Sequence, residues 1–133
     1  MFPLSLPLTP IPAPRPRVTS RGFTYYPKRY NEFRRKAEEV IPDNLLSEWP
    51  FPLREEIHIE VVFNIPKPKT TKRFYPRGDV DNYLKTLDVL NGHVWVDDDQ
   101  ITFIKAIKQW ALEDPSIDLK IYTKEDDFFG GRK

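Results

Sequence analysis

The segment from Arg54 to Ile65, REEIHIEVVFNI, is the part of the chain that most constrains its fold. Apolar residues at positions 57, 59, 61 and 63 alternate with polar residues at positions 56, 58 and 60. Successive side chains of a strand point to opposite faces, so this alternation predicts a half-buried β-strand. His58 is expected on its polar, solvent-facing side. The fold must therefore contain a sheet.

Other periodic segments predict the remaining elements. Apolar residues spaced three and four apart predict helices over Lys28–Ile41, where Pro42 ends the helix, and over Val80–Leu90. Strands are predicted at Leu4–Leu8 and, as a final antiparallel pair, at Ile101–Leu112 and Ile117–Thr123. This order predicts an α+β domain in which a mixed β-sheet is packed with two main helices. We expect one small domain over residues 1–123 and a flexible C-terminal tail over residues 124–133.

Length and composition narrow the class of protein. The 133 residues suffice for one domain with a modest core. The chain has no cysteine, which excludes disulfides and thiolate metal sites. No apolar run approaches the roughly 20 residues of a membrane helix, and the N-terminal positive charge follows the apolar part, the reverse of a signal peptide. We therefore expect a cytoplasmic protein that does not associate with membranes.

The net charge of +1 hides a strong segregation of charge along the chain. Residues 1–36 carry eight basic residues and one acid, residues 67–77 carry five basic residues and no acid, and residues 78–99 carry six acids and one lysine. Such a chain can bind a polyanion and a divalent cation together, although solvated faces of a near-neutral protein would give the same pattern. The candidate phosphate-binding residues are Arg15, Arg17, Arg21, Lys28, Lys67, Lys69, Lys72, Arg73 and Arg77.

The acidic stretch GDVDNYLKTLDVLNGHVWVDDDQ begins with Asp79 and Asp81 and nearly ends with three successive aspartates, Asp97 to Asp99. A simple interpretation of its first part is that Asp79 caps the second helix and that Asp81 pairs with Lys85 one turn later. The triplet argues against that interpretation, because three carboxylates at the end of a strand through Val94–Val96 gain nothing from capping or local pairing. Crowded carboxylates repel one another unless a positive partner lies between them.

A divalent metal ion would supply that partner. If the strand lies beside the helix, an aspartate of the triplet can converge with Asp79 and Asp81. A cluster of oxygen ligands suits a hard ion such as Mg²⁺. The spacing does not fit an EF-hand, because its sixth and twelfth positions would be Leu84 and Leu90. The sequence has no Walker A loop, no GxSxG motif and no histidine pair at zinc spacing.

Together these residues resemble a known family. The run from Asp79 to Asn82 with Lys85, then LDVLNG and then WVDDDQ (residues 95–100), is similar to the RusA-type Holliday-junction resolvases of bacteria and their phages. The basic, proline-rich PIPAPRPR near the N-terminus is also similar to the opening of that family. The resemblance covers about Leu8 to Ile121. Two positions depart from it, since Asp99 replaces a small residue and Gly78 replaces a proline or basic residue.

The resemblance implies a homodimeric, Mg²⁺-dependent endonuclease that nicks four-way DNA junctions in infected or uninfected bacterial cells and uses no organic cofactor; Mn²⁺ is a substitute metal. It implies metal ligands at Asp79, Asp81 and Asp98 and an essential role in catalysis for Lys85. The positions expected to support them are Asn82, Asp97 and Asp99.

Two other functions stay open on the residues alone. In the first, the chain is a non-catalytic nucleic-acid-binding module whose aspartates only cap helix ends and lie in solvent. In the second, it is a metal nuclease that cuts flaps or single strands. Metal-dependent cleavage of branched DNA distinguishes a nuclease from the binding module. Cleavage of four-way junctions rather than flaps or single strands distinguishes a resolvase from the other metal nuclease.

Overall fold

The computed structural model describes residues 1–126, and residues 127–133 of the predicted tail lie outside it. The strands are β1 (Phe2–Leu6), β2 (Arg17–Val18), β3 (Thr24–Tyr25), β4 (Ile57–Ile65), β5 (Ile101–Trp110) and β6 (Ser116–Tyr122), and the α-helices are α1 (Lys28–Asp43) and α2 (Val80–Leu84). Two 3₁₀ segments span Lys85–Leu90 and Asp98–Gln100. This confirms the predicted α+β class, with a mixed four-stranded sheet, two helices and a small β2–β3 hairpin.

The sheet has the strand order β1-β6-β4-β5. Strand β6 is antiparallel to both of its neighbours, so that Leu119 pairs with Leu4 on one side and with Val61 on the other. Strands β4 and β5 are parallel. The predicted antiparallel pairing of the last two strands is therefore wrong, because β4 lies between them. Strand β4 supplies five fully buried or nearly buried apolar side chains, at positions 57, 59, 61, 63 and 65, and a strand so apolar lies in the middle of a sheet rather than at its edge.

Helix α1 shares one hydrophobic core with the sheet. Its buried side chains recur with helical spacing, at Tyr30, Phe33, Ala37 and Ile41. The helix continues through Pro42 to Asp43, so the predicted end at Ile41 is two residues early. The Asn44 amide donates a 2.7 Å hydrogen bond to a last-turn carbonyl, that of residue 40, and this helps the final turn to tolerate the proline.

His58 is buried, with 5% of its surface exposed, and the prediction of a solvent-facing histidine is wrong. The polar face of β4 is covered at this point by its two neighbouring strands, because His58 is in register with Phe103 on β5 and with Tyr122 on β6. The rings of His58 and Phe103 lie 5.2 Å apart between centroids. The alternation of polar and apolar residues in β4 predicted that His58 faces solvent, but aromatic residues on the two flanking strands bury it.

The second predicted helix is divided. Only Val80–Leu84 is α-helical, and the chain then tightens into the 3₁₀ segment to Leu90. The Thr86 hydroxyl donates a 2.6 Å hydrogen bond to the carbonyl of Tyr83, three residues earlier, within this tighter turn. Tyr83 and Leu87 are buried, but Val80, the first residue of the short helix, is exposed.

Residues 94–96 approach the acidic triplet through isolated bridges rather than through a regular strand. Trp95 bridges to Leu53 and Asn91, and its fully buried indole N–H donates a 2.7 Å hydrogen bond to Asn91 Oδ1. Strand β1 lies two residues earlier than predicted, at Phe2–Leu6. Within residues 1–126, no helix is long and apolar enough to span a membrane.

Candidate active site

A cleft of about 820 Å³ lies where the proline-rich loop, the start of α1 and the acidic helix meet. Its walls include four of the predicted site residues, Asp79, Asp81, Asn82 and Lys85, and one predicted phosphate-binding residue, Arg15. The cleft also contains Pro12, Pro14, Pro16, Pro27, Arg29 and Asp88. The structure therefore brings acidic, basic and amide groups to a single concave surface.

The proline-rich loop is tied directly to the acidic helix. The backbone N–H of Ala13 donates a 2.8 Å hydrogen bond to the carbonyl of Asn82. Prolines on both sides of Ala13 restrict the backbone of this loop, which lines the same cleft as Asp79 and Asp81. Asp79 precedes the first turn of α2 and Asp81 lies within that turn.

The simple interpretation of the first two aspartates is wrong. Asp79 occupies the N-cap position of α2, yet its side chain makes no capping hydrogen bond. The Lys85 ammonium donates to Asn82 Oδ1 at 3.3 Å, and Asp81 forms no ion pair with any described residue. Local structure therefore does not account for the carboxylates of Asp79 and Asp81.

The acidic triplet does take part in capping, contrary to the sequence interpretation. Asp97 caps the 3₁₀ turn Asp98–Gln100: its carboxylate accepts from the backbone N–H of Asp99, and the Gln100 side chain accepts from the backbone N–H of Asp97. The Gln100 amide also donates to the carbonyls of Leu53 at 2.9 Å and Glu55 at 2.8 Å. Gln100 thus holds the turn that carries Asp98 against the segment before β4.

Neighbouring aspartates disfavour the ionised form of the Asp98 carboxyl. A side-chain hydrogen bond with Asp97, partial burial, and the charges of Asp97, Asp88 and Asp99 all raise the pKa of Asp98 above that of an ordinary aspartate. Asp88 lines the cleft, so this interaction relates the triplet electrostatically to the cleft carboxylates. A cation near Asp98 would relieve the repulsion.

An ion pair missed by the sequence analysis holds Asp88. The guanidinium of Arg34 donates to Asp88 Oδ1 at 2.9 Å and lies 5.8 Å from the centre of the Tyr30 ring. This contact joins α1 to the 3₁₀ segment beneath the cleft. Helical spacing could have placed Arg34 beside Tyr30, one turn earlier, but only the tertiary fold brings it to Asp88.

The donor chemistry of the cleft fits a divalent metal ion, but Asp97, Asp98 and Asp99 do not line it with Asp79 and Asp81. No three His, Cys, Asp or Glu side chains within residues 1–126 are close enough to form a ready-made metal centre. Carboxylates, an asparagine amide and water are the oxygen ligands that Mg²⁺ and Mn²⁺ prefer. Asp79 and Asp81 offer such ligands on one wall of the cleft.

Of the predicted phosphate-binding residues, Arg15 lines the cleft, and Arg73 and Arg77 line a second cavity that shares Pro12, Arg29 and Gly78 with it. Arg17 and Arg21 belong to the β2–β3 hairpin, and Lys28 begins α1, where it forms a loose ion pair of 3.9 Å with Glu32. The second basic segment forms the loop between β4 and α2 and contains Lys67, Lys69, Lys72, Arg73 and Arg77. In this loop the guanidinium of Arg73 lies 4.9 Å from the centre of the Tyr75 ring, and Phe74 is 95% exposed.

An acidic cleft bordered by basic loops is suited to phosphodiester chemistry, and the comparison with family models gives the class of protein as an endodeoxyribonuclease. Residues 7–122 match the model described as Endodeoxyribonuclease RusA, and the chain belongs to the RusA family. It is thus an enzyme of the Holliday-junction resolvase type, acting on branched DNA, and nucleases of this family use a divalent metal. A search of curated proteins finds no significant match.

Proposed function

We propose that the protein resolves four-way DNA junctions as a Mg²⁺-dependent homodimer in which each subunit makes one of two symmetric nicks. The observation that carries this proposal is that Asp79, Asp81 and Lys85 line the same cleft as Arg15 and Arg29. The acidic groups of this cleft would hold a divalent ion, and its basic groups would contact phosphate oxygens.

Asp79, Asp81 and Asp98 are the proposed metal ligands. Asp79 and Asp81 line the cleft without ion-pair partners among the described residues, and Asp98 is crowded by like charge. Asp97 is less suited to be a ligand because its carboxylate caps the 3₁₀ turn. When bound, a divalent ion lowers the pKa of a coordinated water and polarises the phosphate. The sequence match to the family motif supports the same three residues.

Lys85 is proposed to stabilise negative charge on the phosphate. Its ammonium lies in the cleft and is held at 3.3 Å by Asn82 Oδ1 rather than neutralised by an acid. A positive group placed before the reaction can stabilise the charge that develops on the phosphoryl oxygens as the bond to the leaving oxygen breaks. Asn82 thereby acts on the orientation of Lys85, while Asp97 and Asp99 support the turn that carries Asp98.

DNA binding is proposed to depend mainly on backbone phosphates. Arg15 and Arg29 border the cleft, and the basic hairpin and the β4–α2 loop extend the positive surface beyond it. Contacts of this kind fix register and orientation without reading sequence and weaken as salt rises. The exposed Phe74 and Tyr75 lie among these cations, and the Phe74 ring offers a face to unpaired bases at a junction centre.

The homodimer follows from the symmetry of the substrate. A four-way junction has an approximate two-fold axis, and resolution requires two nicks on opposing strands. Each chain carries one set of Asp79, Asp81 and Asp98. A C2 dimer places two identical sites symmetrically and is the commonest closed assembly.

The test is incubation with a labelled four-way junction, a flap and a linear duplex, each with Mg²⁺ and with EDTA. Resolution of the junction into nicked duplexes in Mg²⁺ only, with little cutting of the other substrates, is the expected result. Preferential flap cleavage would favour the nuclease of other specificity. Junction binding that is indifferent to Mg²⁺ and is followed by no cleavage would support a binding module instead.

A further inference from the structure

Three successive backbone carbonyls immediately before Asp79 accept hydrogen bonds from side chains. The Lys108 ammonium donates to the carbonyl of Pro76 at 2.8 Å and also to that of Gly78. The Tyr83 hydroxyl donates to the intervening carbonyl, of Arg77, at 2.9 Å. Each residue of the segment 76–78, which directly precedes the proposed metal ligand Asp79, therefore accepts a hydrogen bond from a side chain outside the segment.

Lys108 reaches this segment from a rigid part of the fold. It belongs to β5 and is in register with Phe63, one of the fully buried residues of β4, so its side chain leaves the sheet on the face that carries the core. Its ammonium also lies 5.7 Å from the centre of the Tyr75 ring. Ammonium groups make stronger hydrogen bonds to carbonyls than neutral donors do. The sheet thus supports the segment through one charged side chain.

The segment needs such support because of Gly78. This glycine has a φ of +91°, which non-glycine residues rarely adopt, and a Cβ there would lie 3.1 Å from Tyr83 Cε2. Glycine permits the tight approach to Tyr83 but leaves the backbone intrinsically free. The adjacent carbonyl contacts restore order at the residue directly before Asp79.

We propose that Lys108 is a positioning residue for the metal site: by fixing the carbonyls of Pro76 and Gly78, it fixes the carboxylate of Asp79 where the metal is bound. This inference rests on the proposed function, since it assumes that Asp79 is a metal ligand. Lys108 itself is not among the residues that line the cleft with Asp79 and Asp81. Groups that orient metal ligands typically contribute about 10–100-fold to metal affinity.

The test compares Lys108→Met with Lys105→Met in Mn²⁺ titrations by calorimetry without DNA. Methionine keeps most of the length of lysine and removes the donor. Lys105 is an exposed lysine of the same strand, in register with Glu60 on the opposite face of the sheet, and is the matched control. We expect Lys108→Met to bind Mn²⁺ about 10–100-fold more weakly than the parent, and Lys105→Met to bind like the parent. Lys108→Arg, which keeps charged donors, should recover part of the loss.

Junction binding in EDTA separates positioning from general damage to the fold. Lys108→Met should bind the junction like the parent, because the metal is absent in both. A parallel loss of junction affinity and metal affinity would overturn the inference, and so would parent-like Mn²⁺ binding. If Lys108→Met does not fold, as judged by circular dichroism, Lys108→Gln decides by the same criteria. A parent protein that binds no Mn²⁺ would instead contradict the proposed metal site itself.

Discussion

Replacing Gln100 by alanine should loosen the turn that carries Asp98 and destabilise the whole domain. The Gln100 side chain makes three hydrogen bonds: it donates to the carbonyls of Leu53 and Glu55 and accepts from the backbone N–H of Asp97. Each such bond is worth about 1 kcal/mol net, and two of the three are solvent-exposed. We therefore expect a loss of about 2 kcal/mol in the free energy of unfolding.

Urea denaturation followed by circular dichroism measures this loss. Gln109→Ala is the matched control, because the Gln109 amide makes a single exposed hydrogen bond, of 2.9 Å, to Asn64 on the neighbouring strand. That variant should lose less than about 1 kcal/mol. At a temperature where both variants are folded, Gln100→Ala should also cleave the junction more slowly. A free energy of unfolding for Gln100→Ala within about 0.5 kcal/mol of the parent would refute the argument that Gln100 holds the turn.

Four further predictions concern the site. Asp81→Asn and Asp98→Asn should abolish cleavage and leave junction binding intact or tighter, since each removes negative charge near a phosphate; cleavage at the parental rate would contradict the metal assignment. Lys85→Ala should keep folding and junction affinity and lose cleavage rate, whereas an equal loss of affinity would make Lys85 a binding residue. In EDTA, Asp98→Asn should become more stable relative to the parent as pH rises. The folded-state pKa of Asp98 is raised, so the stability that its protonated carboxyl contributes is present below the ordinary aspartate pKa and is lost as pH rises through the raised pKa. Urea denaturation at acidic and neutral pH measures this, and a difference in unfolding free energy that does not change with pH would contradict it. Mixed dimers of parent with Asp98→Asn should nick one strand and release little resolved product, as denaturing gels would show, and efficient resolution by them would contradict the symmetric mechanism.

The sequence predicted those parts of the fold in which one segment determines its own structure. The apolar spacing of α1 and the apolar positions of β4 follow from local periodicity, and both elements appear close to their predicted bounds. The partners of each strand do not follow from periodicity. The insertion of β6 between β1 and β4 depends on burying β4 on both edges, which no single segment reveals. The burial of His58 has the same origin, because the side chains that cover it come from β5 and β6.

The sequence predicted the identity of the residues in the candidate cleft better than it predicted their spatial arrangement. Spacing placed Asp81 and Lys85 on one face of a helix, and both line the cleft. The capping role of Asp97 and the Arg34–Asp88 ion pair were missed. The first depends on a 3₁₀ turn of three residues, which has almost no periodic signal, and the second joins residues far apart in the chain.

The pairing of β1 with β6 has a consequence for how the protein acquires its activity. Leu4 finds its sheet partner only at Leu119, and β4 lacks one of its two neighbours until β6 is in place. Contacts between such distant parts of a chain slow folding and make it cooperative. A ribosome must therefore release the chain as far as β6 before the sheet that supports the cleft can form. Nascent chains that end before β6 would carry the basic segments and the aspartates without an organised cleft, so the DNA-cutting activity can appear only after β6 has been synthesised.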